Sequence, residues 1–305
     1  MNRPTLHIAF PVYNESKNLP ILLERLDNVI TSSLNQYTCK IIAVDDGSRD
    51  DSYEVLKKLK SRYDYLQIIK FSRNFGHHNA IAAALQHCDG QVNILMDSDL
   101  QDPPESIPSL IALLDGDVKM VYTIRKNYRV GLLKKWSSAL FWRLIKKGSG
   151  LDIPEGQSML RAFDRNVLLA LRQCKEYHKF YAGLFAYVGF KYSTYTIDNQ
   201  LRANGQSSYS WGKMIKLGFT ALSGFSHNMA TYIVGFSVLW IGIGMALFAC
   251  LQYMGYLINT NILFLLILII GAKIIFFQGI IIWLLLYVFQ QSKNRPAYII
   301  EHIIE

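Results

Sequence analysis

One long stretch of the chain has no charge: from Leu217 to Gly271 there is no Asp, Glu, Lys or Arg. A water-soluble domain rarely tolerates such a gap, whereas membrane-spanning helices require one. Cysteine is also scarce. Cys39, Cys88, Cys174 and Cys250 form no Cys-x-x-Cys pair, which argues against a disulfide framework or a thiolate metal site and fits a reducing compartment. The opening Met1-Asn2-Arg3-Pro4 has no apolar signal-peptide core and leads straight into Leu6-His7-Ile8-Ala9-Phe10. The first two hundred residues are therefore expected in the cytosol. The net charge is +9, but no basic stripe with interleaved aromatics stands free of the apolar segments. An anionic membrane surface is thus the expected partner, and nucleic acid is not.

What is present begins with alternating apolar runs and helical patterns. Leu6–Phe10, Ile41–Val44, Gln67–Phe71 and Val92–Met96 read as buried strands. Between them, Leu19, Leu22, Leu23, Leu26 and Ile30 recur at helical spacing, as do Val55, Leu56 and Leu59, and an Ala-rich segment runs to Leu85. Asn14 or Ser16 is the expected cap of the first helix, and Ser48 with Asp51 of the second. Strand and helix alternating at this spacing imply βαβ units and a mostly parallel sheet.

Two of these strands end in acid: Asp45-Asp46-Gly47-Ser48 and Asp97-Ser98-Asp99-Leu100-Gln101-Asp102-Pro103-Pro104-Glu105. A lone Asp-x-Asp is ordinarily a solvated turn. Two acidic turns at the same end of a parallel sheet, where such folds bind ligands, are harder to dismiss. Carboxylates are costly to crowd unless a cation sits between them. Magnesium is usually held by one or two carboxylates together with substrate phosphates. Asp97 and Asp99 are thereby candidates for a metal–diphosphate site. Adjacent His77 and His78, at a helix start, point apart and read as structural, capping or sugar-contacting rather than as a base pair.

Met120–Thr123 reads as a fifth strand, followed by Arg125 and a basic, aromatic segment from Gly131 to Lys147. That segment has the composition of an interfacial helix and equally of a helix packed on the sheet. Gly156–Arg165 leads into a helix through Leu171, and Tyr192–Ile197 is strand-like. The loop from Arg202 to Tyr209 suits closure over a phosphate. The expected organisation is a catalytic domain over residues 1–207, a juxtamembrane amphipathic segment over 208–228, two transmembrane helices within 229–290 (about 229–256 and 262–289) and a cytosolic tail over 291–305. Lys213 and Lys216 precede the first span and Lys293 and Arg295 follow the second, so both ends are expected in the cytosol. Lys273, inside the second span, reads as a functional candidate or as a Lys satisfied across a helix interface. Gly235, Gly242, Gly244 and Gly271 would permit close helix packing and a homo-oligomer.

Taken together, Pro11-Val12-Tyr13-Asn14-Glu15, Val44–Ser48, Asn74-Phe75-Gly76, Met96–Glu105, Arg202…Gly205…Ser207-Ser208-Tyr209 and the closing Asn294-Arg295-Pro296-Ala297-Tyr298 resemble the family 2 glycosyltransferases of the GT-A fold. Within that family the chain resembles the polyprenyl-phosphate sugar transferases, the group of dolichyl-phosphate mannose synthase and the bactoprenol glucosyltransferases. The resemblance implies a Rossmann-like GT-A domain with a transmembrane hairpin. It implies that Pro11, Tyr13, Glu15, Asp45, Asp46 and Asp97 line the nucleotide-sugar pocket, and that Asp99 with Gln101, beside Asp97, ligates magnesium or manganese. Arg125 and Arg202 would neutralise phosphates, and Ser158, Arg161, Arg202, Ser207 and Ser208 would meet the acceptor. Two departures are visible. Ser208 stands where many relatives carry Lys, and Ser158 stands where many bacterial relatives carry an acid. The Gln-x-x-Arg-Trp signature of processive members is absent, which implies a single transfer.

The implied reaction is inverting, metal-dependent transfer of a hexose, UDP-glucose being the donor implied first, to polyprenyl (undecaprenyl) phosphate. An anionic acceptor needs no strong general base, which suits a site without an obvious catalytic His. The alternatives are transfer to a lipid-linked saccharide or another hydroxyl acceptor, and a catalytically inactive membrane scaffold.

Overall fold

In the computed structural model the described residues are 3–126, 143, 146, 150–176, 179–198, 229–253, 260–293 and 295–305. The loop carrying Arg202, Ser207 and Ser208, the segment 208–228 and nearly all of Gly131–Lys147 lie outside them. Two units are distinguished, residues 1–224 with 296–305, and 225–295.

In the first unit, Leu6, Ile8, Phe10 and Val12 alternate along β1 (Thr5–Val12), and all are buried. A strand sends alternate side chains to opposite faces, so these four share one. They pack with Leu22 and Leu26 of α1 (Leu19–Ser33), Leu56 of α2 (Ser52–Lys60) and Ile107 and Leu110 of α4 (Ile107–Ala112). β1 lies between β2 (Thr38–Asp45) and β4 (Val92–Leu95), both parallel to it, and β2 also pairs in parallel with β3 (Leu66–Phe71). α3 (His77–His87) packs on β1 and β2.

The full sheet has eight strands in the order β7-β5-β6-β4-β1-β2-β3-β8, with β5 (Met120–Lys126), β6 (Gln157–Asp164), β7 (Tyr192–Asp198) and β8 (Ile300–Ile304). It is mixed. β6 runs antiparallel to both β4 and β5, and β8 antiparallel to β3. α5 (Arg165–Gln173) begins at an Asp164 cap, whose Oδ1 accepts the Val167 N–H at 3.0 Å, and α6 (Tyr181–Tyr187) packs on it.

Two expectations are corrected. The caps of α1 and α2 are Asn18 and Asp51, neither with a side-chain cap bond. Asn14 and Ser48 are instead spent on each other's loops, Asn14 N–H donating to Ser48 Oγ and Arg49 N–H to Asn14 Oδ1. The tail, for which no structure was expected, is the edge strand β8. Ile304 pairs with Ile68 and Ile303 with Ile69.

The second unit contains α7 (Met229–Tyr253) and α8 (Thr260–Ser292). Ile269–Leu286 in α8 is long and apolar enough to cross a membrane, with a mean hydropathy of 2.3, and α7 contributes the shorter apolar stretch Val234–Ala246. Lys273 lies with its Nζ 5.9 Å from the centre of the Trp240 ring.

Candidate active site

The register puts the acidic strand ends together. Val12 pairs with Asp45 and Ala9 with Leu95, so β2 and β4 flank β1 and end on the same side. The loops beyond are tied by side chains. Ser98 Oγ donates to the Pro11 carbonyl at 2.8 Å, and Glu15 N–H donates to Ser52 Oγ at 2.8 Å. Tyr13 stands exposed above them. Asn14 (φ 58) and Leu100 (φ 62) both occupy the left-handed region. Asn tolerates that conformation, whereas for a buried Leu it costs about 1–2 kcal/mol. Strain of this kind concentrates at functional loops, and Leu100 lies between Asp99 and Gln101.

The carboxylates have different surroundings. Asp45 is fully buried. Its Oδ1 accepts the Ser48 N–H at 3.3 Å, while Oδ2 has no donor. Burial raises its pKa, opposed by the Ser48 hydrogen bonds. Asp46 is occupied by the loop after β3: Phe75 N–H donates to Oδ1 at 2.7 Å, Gly76 N–H reaches both oxygens and Asn74 Nδ2 donates to Oδ2 at 3.0 Å. Burial nonetheless lifts its pKa to about 6. Asp46 thus holds the loop after β3 rather than offering a free carboxylate. Asp97 Oδ1 is buried without a hydrogen-bond donor, with His77 Nε2 3.5 Å away. Burial raises its pKa and His77 opposes the shift. Asp99 is mostly buried, and its Oδ1 accepts the Gln101 N–H at 3.1 Å.

Arg125, at the end of β5, is brought to this edge in the grip of two residues. Its Nη1 donates to Gln101 Oε1 at 2.7 Å, and its Nη2 and Nε donate to Asp102 Oδ1 at 2.8 and 3.2 Å. Asp102 Oδ2 accepts the Leu160 N–H of β6. The Gln101 amide oxygen is therefore engaged by Arg125, away from Asp99.

Ser158 and Arg161 are drawn into the sheet. Ser158 is buried and hydrogen-bonded to Thr123. Arg161 is 2% exposed, donates to the carbonyls of Ser158 and Met159, and lies against the rings of Tyr122 and Phe185, its Nη1 without a partner.

Two residues enter the site that the motifs did not single out for it. His77 meets Asp97, and Asp102 anchors Arg125. For Asp102 a signal existed, since an acid buried between two prolines and a Gln in a polar turn needs a cationic partner. For His77 the sequence offered only a structural, capping or sugar-contacting reading, because its contact with Asp97 depends on how α3 packs on the sheet.

The family model for glycosyl transferase family 2 matches residues 7–172. The chain is 31% identical to an uncharacterised glycosyltransferase, YkcC, of Bacillus subtilis, covering 96% of this chain and 92% of that one. It is 32% identical to the undecaprenyl-phosphate 4-deoxy-4-formamido-L-arabinose transferase of Shewanella sediminis, over 97% of this chain and 92% of the other. Among solved structures it is similar to glucosyl-3-phosphoglycerate synthase of Mycobacterium tuberculosis in complex with Mn2+, UDP and glucosyl-3-phosphoglycerate. The TM-score is 0.51 at 14% identity, covering 72% of this chain and 77% of that one, a likeness of fold. With a mixed GT-A sheet and a family match spanning the acidic strand ends described above, the chain is a glycosyltransferase and belongs to glycosyl transferase family 2.

Proposed function

We propose that this enzyme transfers a sugar from a nucleotide sugar to undecaprenyl phosphate at the cytosolic face of a membrane. The observation that carries the reading is the pair of buried, donorless carboxylate oxygens, Asp45 Oδ2 and Asp97 Oδ1, at the ends of two strands flanking β1. Buried acceptors without partners are costly and call for a ligand. Asp45 suits a nucleoside N–H, with Pro11 at the end of β1 and Tyr13 and Glu15 on the loop that follows. The acceptor assignment draws support from the names of relatives matched along nearly their whole length and from the apolar span in α8.

The chain path supports a two-helix hairpin. β8 belongs to the same sheet as β1 to β7, so residues 199–295 leave and rejoin one side of any membrane. If Ile269–Leu286 crosses once, a second crossing is required before it, and among the described residues α7 is the apolar segment available.

The residues present fit a divalent cation. Asp97 and Asp99 would hold it, and Gln101 would join them only by releasing Arg125. Such an ion would offset the charge on the leaving diphosphate. The acceptor phosphate is already anionic and attacks the anomeric carbon from the face opposite the leaving group. The C1–O bond to the diphosphate breaks and its electron pair stays on that oxygen. Arg125, held by Asp102, would meet the developing charge. Arg202, Ser207 and Ser208, which lie outside the described residues, are the phosphate-binding residues in this reading.

The donor proposed first is UDP-glucose. A formamido-pentose donor is the second reading, favoured by the names of several relatives. Purified full-length enzyme in detergent, given undecaprenyl phosphate, manganese and labelled nucleotide sugars, should form a lipid-linked sugar with at least one donor, and chelation should abolish it. Transfer to hydroxyl acceptors alone, or no transfer at all, would sink the proposal.

A further inference from the structure

The segment that follows the apolar unit, just before β8, touches the residue that leads into the loop holding Asp46. Phe71, the last residue of β3, is fully buried, and one face of its ring is stacked on Tyr298 at 4.9 Å and 11° between planes. Its edge meets Phe75 at 5.7 Å and 87°. Phe75 is the residue whose N–H donates to Asp46, followed by Gly76, whose N–H reaches both carboxylate oxygens. The loop 72–76 is thus held on two sides. Asp46 and Gly47 press on it from the turn after β2, and Tyr298, just before β8, supports it through Phe71. The contact with Gly47 leaves no slack, since a Cβ there would fall 2.4 Å from the Arg73 carbonyl carbon.

Two further bonds fix the strand beside this loop. Ser72 N–H donates to the Ile299 carbonyl at 3.1 Å, and Lys70 pairs with Glu301 at 2.7 Å. Lys70 is the register partner of Asp45. The segment is therefore fixed to β3, the strand next to β2, and its chain connection runs back to α8, which ends at Ser292.

We infer that Tyr298 is a positioning residue for the donor: through Phe71 and Phe75 it holds the loop that fixes Asp46, so nucleotide affinity depends on the C-terminal strand being seated. This rests on reading Asp45 and Asp46 as the nucleoside edge. The contact is made by the ring, so Phe replaces Tyr298 without loss, whereas Leu and Ala do not. An aromatic contact of this kind supports a change of roughly three- to tenfold.

The test uses the full chain in detergent with manganese, titrated with UDP and, separately, GDP. Tyr298→Phe should bind the nucleotide within about twofold of wild type, and Tyr298→Ala roughly three- to tenfold more weakly. In turnover assays the donor KM should rise by the same factor, with kcat at saturating donor and the acceptor KM unchanged. If Tyr298→Ala does not fold, Tyr298→Leu, which keeps apolar bulk without the stack, carries the comparison. Equal affinities for wild type and the folded Leu or Ala variant, or a loss confined to kcat, would overturn the inference. Wild-type enzyme that binds neither nucleotide would remove the reading of the site, and the inference with it. Wild-type binding with an unaffected variant removes the inference alone.

Discussion

Asp102 and Arg125 form a pair in which a single carboxylate oxygen, Oδ1, accepts both Nη2 and Nε of the guanidinium, at 2.8 and 3.2 Å. The Asp102 side chain is wholly buried and that of Arg125 is 15% exposed. Removing one partner of such a pair leaves the other charge stranded, at a cost of about 3–5 kcal/mol. Asp102→Asn should therefore lower the melting temperature and, by releasing Arg125 from the strand ends, reduce kcat/KM at least tenfold. Arg125→Lys should not restore function, because one ammonium cannot reach Gln101 and Asp102 as the planar fork does. An Asp102→Asn enzyme with wild-type melting and turnover would refute the positioning role.

The part of this fold that was legible in the sequence is the part written in short-range pattern. Ile41–Val44 followed by Asp45-Asp46, and Val92–Met96 followed by Asp97, are apolar runs whose length and abrupt acidic ends mark buried parallel strands. Their register with β1 bears that out. What sequence could not supply depends on distant partners. β8 pairs with β3 across more than two hundred residues. The β-branched Ile299, Ile300, Ile303 and Ile304 after Pro296 were its only local sign. Asn14 and Ser48 had the composition of helix caps, but each loop offered the other a nearer donor. Asp46 is indistinguishable from Asp45 in sequence, and only the approach of Phe75 and Gly76 separates their roles.

Gly47 and Gly76 make a matched test of the loop contact. Both have positive φ, +62° and +98°, so Ala at either is strained, by about 1–3 kcal/mol. At Gly76 a Cβ meets nothing within 4 Å, whereas at Gly47 it meets the backbone of Arg73 and Asn74 at 2.4 and 2.5 Å. Gly47→Ala should thus cost clearly more melting temperature than Gly76→Ala and should also weaken nucleotide binding. Equal losses would show that the two loops are not pressed together.

Asp99→Asn separates chemistry from architecture. Asn retains an oxygen for the Gln101 N–H, so the turn should survive and melting should change little. The lost charge should lower turnover by a factor of about 10² or more. Transfer continuing at the wild-type rate would argue against Asp99 as a metal ligand.

His7 provides a pH signature in the core sheet. Its Nδ1 accepts the Asp89 N–H at 2.9 Å, which requires the neutral ring, and burial, reinforced by Lys40, lowers its pKa from 6.5 to about 4. The folded chain then resists a proton that the unfolded chain accepts. The stabilisation is complete above pH 6.5 and is lost as pH falls toward 4. Asp46, whose pKa is raised, acts in the opposite sense over the same window. It is common to wild type and variant, so it cancels in their difference. The melting temperature of wild type relative to His7→Asn should decline between pH 7 and pH 4.5. A constant difference would mean that His7 does not titrate in that way.

Lys273 and Trp240 decide what a charge is doing inside the apolar unit. An ionisable residue at such a position is by default a functional suspect. Here the ammonium lies 5.9 Å from the Trp240 ring centre, within the range of a cation–π contact that joins α8 to α7. A Lys so partnered stabilises the helix pair and has no need of a substrate. Lys273→Met should then keep kcat within about threefold, since an apolar side chain in the same place avoids the desolvation cost of the charge. Trp240→Leu, which leaves the ammonium without its ring, should destabilise the unit more than Lys273→Met does. The double variant should restore part of that loss, with a coupling of about 0.5–2 kcal/mol in a double-mutant cycle. A tenfold fall in kcat for Lys273→Met at unchanged melting temperature would reverse the assignment and place the ammonium on the lipid phosphate's path.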